Sequence, residues 1–357
     1  MKELIIPPVN LTFIATNKCT AACKNCCFSC NPKNKDRLTL SDMKQYVTQS
    51  VEEFNTIKIL VITGGECFTL GKDLDKIIQF ANKKGLKTRV VTNAYWAKSL
   101  EKAHLIVNQL VDDGLDEINY STGDEHQVWV PYENIINAVI SSLESRLATV
   151  VNIESSNLSD FSSKIFLKDS RLEKYKHLIN KKFFLIDGMW MPFLKSTELK
   201  LKSLNEENEK KPLIYLQKNE KRCTSLFYAI TITPNNQVYS CCGMTLLYNS
   251  YLRLGNAQKY SLKTLYEYQF KDFLKIWLFT EGPEKILTFC YQKRKINVND
   301  TSKMHICQIC FEIFRDKENI SILQKNYSEI YTNVMIKYNL LKEKYNKTFN
   351  LQNDEKK

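Results

Sequence analysis

Strand-like apolar runs recur at intervals of about thirty residues, the length of one βα unit, and that recurrence limits the folds open to this chain more than any other feature. The runs begin near Leu11, Ile57, Lys87, Asp116, Ala148 and Phe183, and each of the first five is followed by enough chain to cross back over a sheet. After the first run, Leu40, Met43, Tyr46, Val47, Val51 and Phe54 fall at three- and four-residue spacing, with Thr39 or Ser41 placed to cap the helix they predict. Gly85 and Gly114 follow the second and third helical patterns, where a left-handed C-cap residue belongs. Six such units predict an α/β fold, a partial (βα)6 barrel of the TIM type, with its chemistry at the carboxyl ends of the strands. Those ends carry polar groups: Thr16, residues 63–66, Thr92 and Asn93, residues 121–124, residues 152–154, and Asp187.

The first strand end leads into Cys19, Cys23 and Cys26, a Cys-x3-Cys-x2-Cys triplet. Three thiolates are one ligand short of filling a 4Fe–4S cube. An iron left open can chelate the amino and carboxylate groups of S-adenosylmethionine (SAM) and cleave it reductively to a 5'-deoxyadenosyl radical. Zinc wants four tetrahedral ligands, commonly in paired Cys-x2-Cys units, and neither Cys27 nor Cys30 stands at that spacing from Cys19. Gly64-Gly65-Glu66 closes the second strand; two glycines let backbone approach a ligand closely, and the carboxylate can receive an ammonium group. Thr92 and Asn93 close the third strand and Ser121 the fourth, where each would hydrogen-bond such a ligand or serve as an ordinary strand cap.

The triplet, with the Gly-Gly-Glu run one βα unit later, resembles the signature of the radical SAM superfamily. That resemblance implies a cluster on Cys19, Cys23 and Cys26, with SAM held by Gly64, Gly65, Glu66, Thr92, Asn93 and Ser121. The residue before the third Cys is usually aromatic in the superfamily; here it is Asn25, and Phe28 is expected to make the adenine contact. Further along, Cys223, Cys241, Cys307 and Cys310, with a Leu254-Gly255-Asn256 run, resemble a SPASM/twitch extension with a single auxiliary 4Fe–4S cluster, zinc on the same ligands being the alternative. Taken together, these motifs and Thr92-Asn-Ala-Tyr-Trp96 look like the radical SAM peptide epimerases, over nearly the whole chain. Those enzymes turn L-residues of ribosomally synthesised peptides into D-residues by Cα hydrogen abstraction and return of hydrogen from a thiol. The resemblance implies two clusters, SAM, a precursor peptide and a one-electron reductant such as flavodoxin or ferredoxin. It makes Cys241 a cluster ligand and its neighbour Cys242 the hydrogen donor. The epimerases carry an acidic residue shortly after the first auxiliary Cys, whereas residues 224–230 contain none. A thioether or carbon–carbon crosslinking enzyme on the same cofactors, and a non-catalytic zinc- or RNA-binding protein, are the competing readings.

The remaining sequence bounds these alternatives. A chain of 357 residues, 43% hydrophobic, has room for one large domain and an appendage. The expected divisions are a barrel over 1–194, a connector over 195–221, a cluster-binding module over 222–316 and a helical segment over 317–357. Within the last two, a hairpin is expected around residues 234–236, with helical patterns over 262–280 and from 320 to about 345, the apolar stripe of the second serving to pack. Residues 1–10 hold no signal-peptide core and no run reaches membrane-spanning length, so a cytoplasmic protein is expected, with its twelve Cys reduced rather than disulfide-bonded. The formal charge of +12 is spread along the chain, and no RNA-binding motif accompanies it; residues 160–222, with 15 Lys/Arg against 9 Asp/Glu, are the stretch most suited to an acidic partner. Cys27, Cys30, Cys67 and Cys290 are expected to pack rather than react, and His126 is the one histidine placed at a strand end. Eighteen residues precede Cys19, too few for a winged-helix leader-binding domain, so leader recognition is expected on another surface or not at all.

Overall fold

The computed structural model describes residues 6–155, 159–189, 222–296 and 305–354. Six parallel strands follow the sequence pattern: β1 (Asn10–Thr16), β2 (Ile59–Gly64), β3 (Lys87–Thr92), β4 (Glu117–Gly123), β5 (Ala148–Ser155) and β6 (Phe183–Met189). They alternate with helices α1 (Leu40–Glu53), α2 (Lys72–Lys83), α3 (Leu100–Asp112), the one-turn α4 (Asp124–Gln127), α5 (Tyr132–Glu144) and the short α6 (Ser163–Phe166). Caps set the boundaries. Thr39 accepts from the Asp42 amide and Ser99 from the Lys102 amide, while Gly85 and Gly114 end α2 and α3 at φ of 81° and 91°.

The sheet is open. Its order is β6-β5-β4-β3-β2-β1-β7-β8-β9, so β6 and β9 are its edges and the six-unit arc does not close into a barrel. β7 (Ala229–Ile232) lies parallel to β1, pairing Asn10 with Ala229 through Phe13 with Ile232, and β8 (Gln237–Tyr239) and β9 (Arg253–Asn256) continue antiparallel. The hairpin expected around residues 234–236 is present, with Asn236 at φ 61° in its turn, and it extends the barrel's own sheet instead of starting another.

Alternation along the strands sorts their two faces. Leu60 and Ile62 of β2, Val90 of β3 and Ile118 and Tyr120 of β4 are buried in one cluster with Met43, Tyr46, Ile77, Val107 and Ile136 of the helices. The intervening residues, among them Thr63, Arg89, Val91, Glu117, Asn119 and Ser121, are half-buried on the other, open face. β1 belongs to two cores: Leu11, Phe13 and Ala15 join the first, while Ile14 joins a second with Phe227, Trp277, Phe279 and Ile313.

The C-terminal helices depart from the sequence reading in one respect. The apolar pattern over 262–280 is two helices, Leu262–Tyr268 and Phe273–Glu281, because Asp272 turns the chain and caps the amides of Leu274 and Lys275. The final pattern is likewise split, into Lys317–Asn326 and Ser328–Asp354, and its stripe of Ile320, Leu323, Ile330, Val334, Met335, Tyr338 and Leu341 packs on the second core as expected. The connector expected over 195–221 lies outside the described residues. Among the described residues, no helix is long and apolar enough to cross a membrane.

Tyr266 fastens the two ends of this arrangement. Fully buried, its hydroxyl lies 2.6 Å from the Ile6 carbonyl and 2.5 Å from the Phe227 carbonyl, joining the segment before β1 to the segment before β7. Tyr266→Phe leaves both carbonyls without that donor and should lower stability by about 1–3 kcal/mol in urea unfolding of the apo chain; an unchanged midpoint would show that neither carbonyl depends on it.

Candidate active site

Backbone packing fixes the root of the cysteine loop. Where β2 ends, the Gly65 amide donates to the Thr16 carbonyl at 2.7 Å and the Glu66 amide to the Lys18 carbonyl at 2.8 Å. A Cβ on Gly64 would stand 2.4 Å from the Thr16 oxygen, and one on Gly65 2.2 Å from the Lys18 oxygen, so no side chain fits at either position; Gly64 also holds φ at 134°. The Gly-Gly pair brings β2 against the three residues that lead into Cys19.

Glu66 turns inward. It is fully buried and accepts from the Phe68 amide at 3.1 Å, the Thr92 hydroxyl at 2.9 Å and the Asn93 amide at 2.8 Å. Burial pushes its pKa up to about 7 against the pull of those donors. The sequence suggested a carboxylate free to receive an ammonium; here it also takes three donors from the chain after β2 and the end of β3. Thr92 is buried too and accepts from the Ala94 amide and the Trp96 indole. Asn93 faces the cysteine loop, its Nδ2 3.1 Å from Thr20 Oγ1 and 3.8 Å from Cys19 Sγ.

At the end of β4, Ser121 lies half-buried on the open face and α4 follows at once. Its residues reach three different elements. Asp124 accepts from the amides of Asp160 and Phe161, Glu125 accepts from the amide and the side chain of Asn25, and the His126 ring contacts Glu154. Glu154 also caps α4, accepting from the amides of Glu125 and His126 at 2.9 and 3.0 Å. A Cβ on Gly123 would lie 2.2 Å from the Glu154 carboxyl carbon, which explains that glycine. Sequence reasoning picked His126 but missed Glu125; the signals were the acidic pair before His126 and the unusual Asn25.

Cys19, Cys23 and Cys26 stand half-buried among these groups, close enough that each thiolate would feel another of the three. Burial pushes Cys19 up to about 11 and Cys23 up to about 12, whereas a hydrogen bond from the Cys30 thiol leads the causes that hold Cys26 down at about 6. Beside Cys26, Asn25 Oδ1 is buried without a protein partner, so an acceptor is left over in the loop. Soft thiolates with an unspent polar atom beside them fit a cluster that binds a polar ligand. Phe28 is half-buried and packs on the second core.

The four C-terminal thiols expected to form a second set lie within electrostatic reach of one another. Cys241 is buried and feels the charges of Cys223 and Cys310; Cys307 and Cys310 feel that of Cys223 in turn. A Cβ on Gly243 would lie 3.1 Å from Cys307 Sγ and 3.8 Å from Cys241 Sγ, so both sulfurs border that glycine. Asn249, buried, points Nδ2 at Cys310 Sγ from 3.8 Å. Among the described residues no three His, Cys, Asp or Glu side chains are grouped to hold a single metal ion.

Cys242 differs in exposure. It is exposed, with the Ser225 hydroxyl as hydrogen-bond partner and the Arg89 charge within reach, both drawing down a thiol that its surroundings raise, and Cys223 and Cys307 feel its charge as well. Arg89 stands on the open face of β3 and pairs with Glu117 of β4 at 2.7 Å, so that face is within electrostatic reach of the thiol. Ser225 stands where an acid was missing from residues 224–230. Of the unassigned cysteines, Cys30, Cys67 and Cys290 are buried, and Cys67 donates to the Val91 carbonyl; Cys27 is half-buried, with Cys26 and Cys307 within electrostatic reach.

No family model matches the chain. It is 22% identical over 325 residues to the Bacillus subtilis (strain 168) protein named "Putative peptide biosynthesis protein YydG", covering 88% of this chain and 95% of that one. Among solved structures it is similar to native anSMEcpe with bound AdoMet, at 14% identity and a TM-score of 0.51 over 91% of this chain and 100% of the other. It is also similar to native anSMEcpe with bound AdoMet and Cp18Cys peptide, at 13% identity and a TM-score of 0.50 over 94% and 100%. These likenesses establish the fold: an open α/β partial barrel.

Because Glu66 takes three protein donors, Glu66→Gln turns an amide N–H2 toward at least one of them. The apo protein should lose about 1–3 kcal/mol of stability, read by urea unfolding, before any ligand is added. Wild-type stability together with weakened SAM binding would return the carboxylate to a purely ligand-binding role.

Proposed function

We propose that the chain is a radical SAM enzyme that modifies a ribosomally synthesised peptide, and specifically that it epimerises L-residues to D-residues. The observation that carries the finer reading is Cys242, an exposed thiol within electrostatic reach of the open face, whose neighbour Cys241 is buried in the second core. The peptide substrate is supported by the name of the B. subtilis relative and by the peptide bound in the anSMEcpe structure.

Cys19, Cys23 and Cys26 would hold a 4Fe–4S cluster, and Cys223, Cys241, Cys307 and Cys310 a second. The backbone of Gly64 and Gly65, with Asn93 and Ser121, would hold SAM, while Glu66 and Thr92 support that surface from behind. With SAM bound, the first cluster supplies a radical able to take a Cα hydrogen. The chain's own contribution is then to return a hydrogen atom from the opposite face. The Cys242 S–H bond breaks, a new Cα–H bond forms, and the sulfur is restored by one electron from a reductant of the flavodoxin or ferredoxin class and one proton from solvent. Ser225 orients the thiol, and the Arg89–Glu117 pair supplies fixed charge in a half-buried setting, where it acts more strongly than in water. Such an enzyme would work in the reducing cytoplasm, where twelve free cysteines persist.

Two cubes imply about eight irons per chain after anaerobic reconstitution. Replacing Cys19, Cys23 and Cys26 together by Ala should halve that number and abolish SAM cleavage; undiminished iron in the triple variant would sink the assignment.

In Cys242→Ala, 5'-deoxyadenosine should still form while the D-residue is lost. Wild type in deuterated water should place one deuterium on each altered residue, delivered by the exchanged thiol. A crosslinked product two hydrogens lighter than the substrate would reject epimerisation, and full epimerisation by Cys242→Ala would move the donor elsewhere.

A further inference from the structure

Asn25 stands between two of the triplet cysteines, in the stretch Cys23-Lys24-Asn25-Cys26, and it is gripped at two points by a residue one hundred positions away. Its amide donates to Glu125 Oε2 at 3.2 Å and its Nδ2 to Glu125 Oε1 at 2.7 Å, so a single carboxylate takes both a backbone and a side-chain donor. Hydrogen bonds to an ionised acceptor are among the stronger ones, and two acting on one residue fix orientation as well as distance. Glu125 is itself held, because its amide donates to Glu154 at 2.9 Å. The residues on either side of it are tied as well, Asp124 to the amides of Asp160 and Phe161 and His126 to Glu154. Within the loop, by contrast, the Cys23–Cys26 turn is closed by one backbone bond, Cys26 amide to Cys23 carbonyl at 3.2 Å.

We infer that Glu125 is a positioning residue: by clamping Asn25 it locks the Cys23–Cys26 turn onto the end of β4 and so sets where the second and third thiols of the triplet stand. The inference rests on the reading of Cys19, Cys23 and Cys26 as cluster ligands. It also accounts for the polar residue that precedes the third cysteine, since a phenyl ring there would leave Glu125 only the backbone amide. The thiol positions are then set from two sides, by the Gly64-Gly65 backbone at Cys19 and by Glu125 at Cys23 and Cys26.

The test compares Glu125→Ala, Glu125→Gln, Asn25→Asp and the double variant Asn25→Asp/Glu125→Gln with wild type. Hydrogen exchange of the apo chain reads the clamp without any cluster. In Glu125→Ala the Asn25 amide should exchange about ten- to a hundredfold faster, while the amides of β4 stay as slow as in wild type. After reconstitution, Glu125→Ala should give up the iron of the first cluster to a chelator several times faster. The paramagnetic resonance spectrum of its reduced form should also respond differently to SAM. Asn25→Asp sets two carboxylates face to face and should behave as badly. The double variant, in which the introduced amide donates to the introduced carboxylate, should recover much of the loss, and Glu125→Gln alone should fall between wild type and Glu125→Ala.

Unchanged exchange at Asn25 in Glu125→Ala would overturn the clamp. Faster exchange with wild-type iron retention and SAM response would overturn the positioning role. A double variant no better than Asn25→Asp would show that the pair does not act as a pair. Failure of the cluster reading is a separate outcome: the triple Cys→Ala variant would then keep all its iron, whatever the exchange at Asn25.

Discussion

Two backbones in contact, with no side chain between them, decide where this site can form. The chain leaving β1 must pass the end of β2 closely enough for the Gly65 and Glu66 amides to reach the Thr16 and Lys18 carbonyls, and only glycine at positions 64 and 65 leaves room. Once that contact exists, the start of the cysteine loop has a fixed origin on the sheet. The Glu66 carboxylate, carried past the contact by the same backbone, then takes the Asn93 amide and the Thr92 hydroxyl. Three strand ends are joined through one buried residue, by its amide to the chain leaving β1 and by its carboxylate to the end of β3. A carboxylate with a pKa near 7 would be costly to bury without those donors, so the arrangement holds only while β1, β2 and β3 keep their relative heights.

The same logic runs along β1 in the other direction. Its two faces serve different cores, with Phe13 under the helices and Ile14 against Trp277 and Phe279, and β7 pairs along its edge. The C-terminal elements are therefore part of the sheet that carries the cysteine triplet. The strand that precedes residues 241 and 242 is hydrogen-bonded, through β7, to the strand that launches the triplet.

What could be read from the sequence follows the range of the interactions involved. The strands, the Thr39 cap and the Gly85 and Gly114 terminators depend on residues a few positions apart, and their spacing states them. The split of the 262–280 pattern at Asp272 was hidden because the apolar spacing runs on through the turn while the capping carboxylate breaks the helix. The inward turn of Glu66 and the grip of Glu125 on Asn25 were not legible, since their partners lie 26 or 27 and 100 positions away and nothing local marks them. An oddity did survive in the sequence at one of these sites, the polar Asn25 where an apolar ring was expected. Its meaning needed the end of β4 beside it.

The pair Cys241 and Cys242 bears on the proposed function through exposure. Ser240 and Cys241 are buried, Cys241 within the second core, whereas Cys242 is exposed with Ser225 as its hydrogen-bond partner. A thiol bound to iron is lost as a hydrogen donor, and one on the outer surface never meets the substrate. In the proposed enzyme an exposed thiol one residue after a ligand would avoid both outcomes, because the ligand would pin the backbone beside it. The position of Cys242 would then be set by the core in which Cys241 packs. That is the rigidity needed by a residue that must reach a planar carbon from one side only.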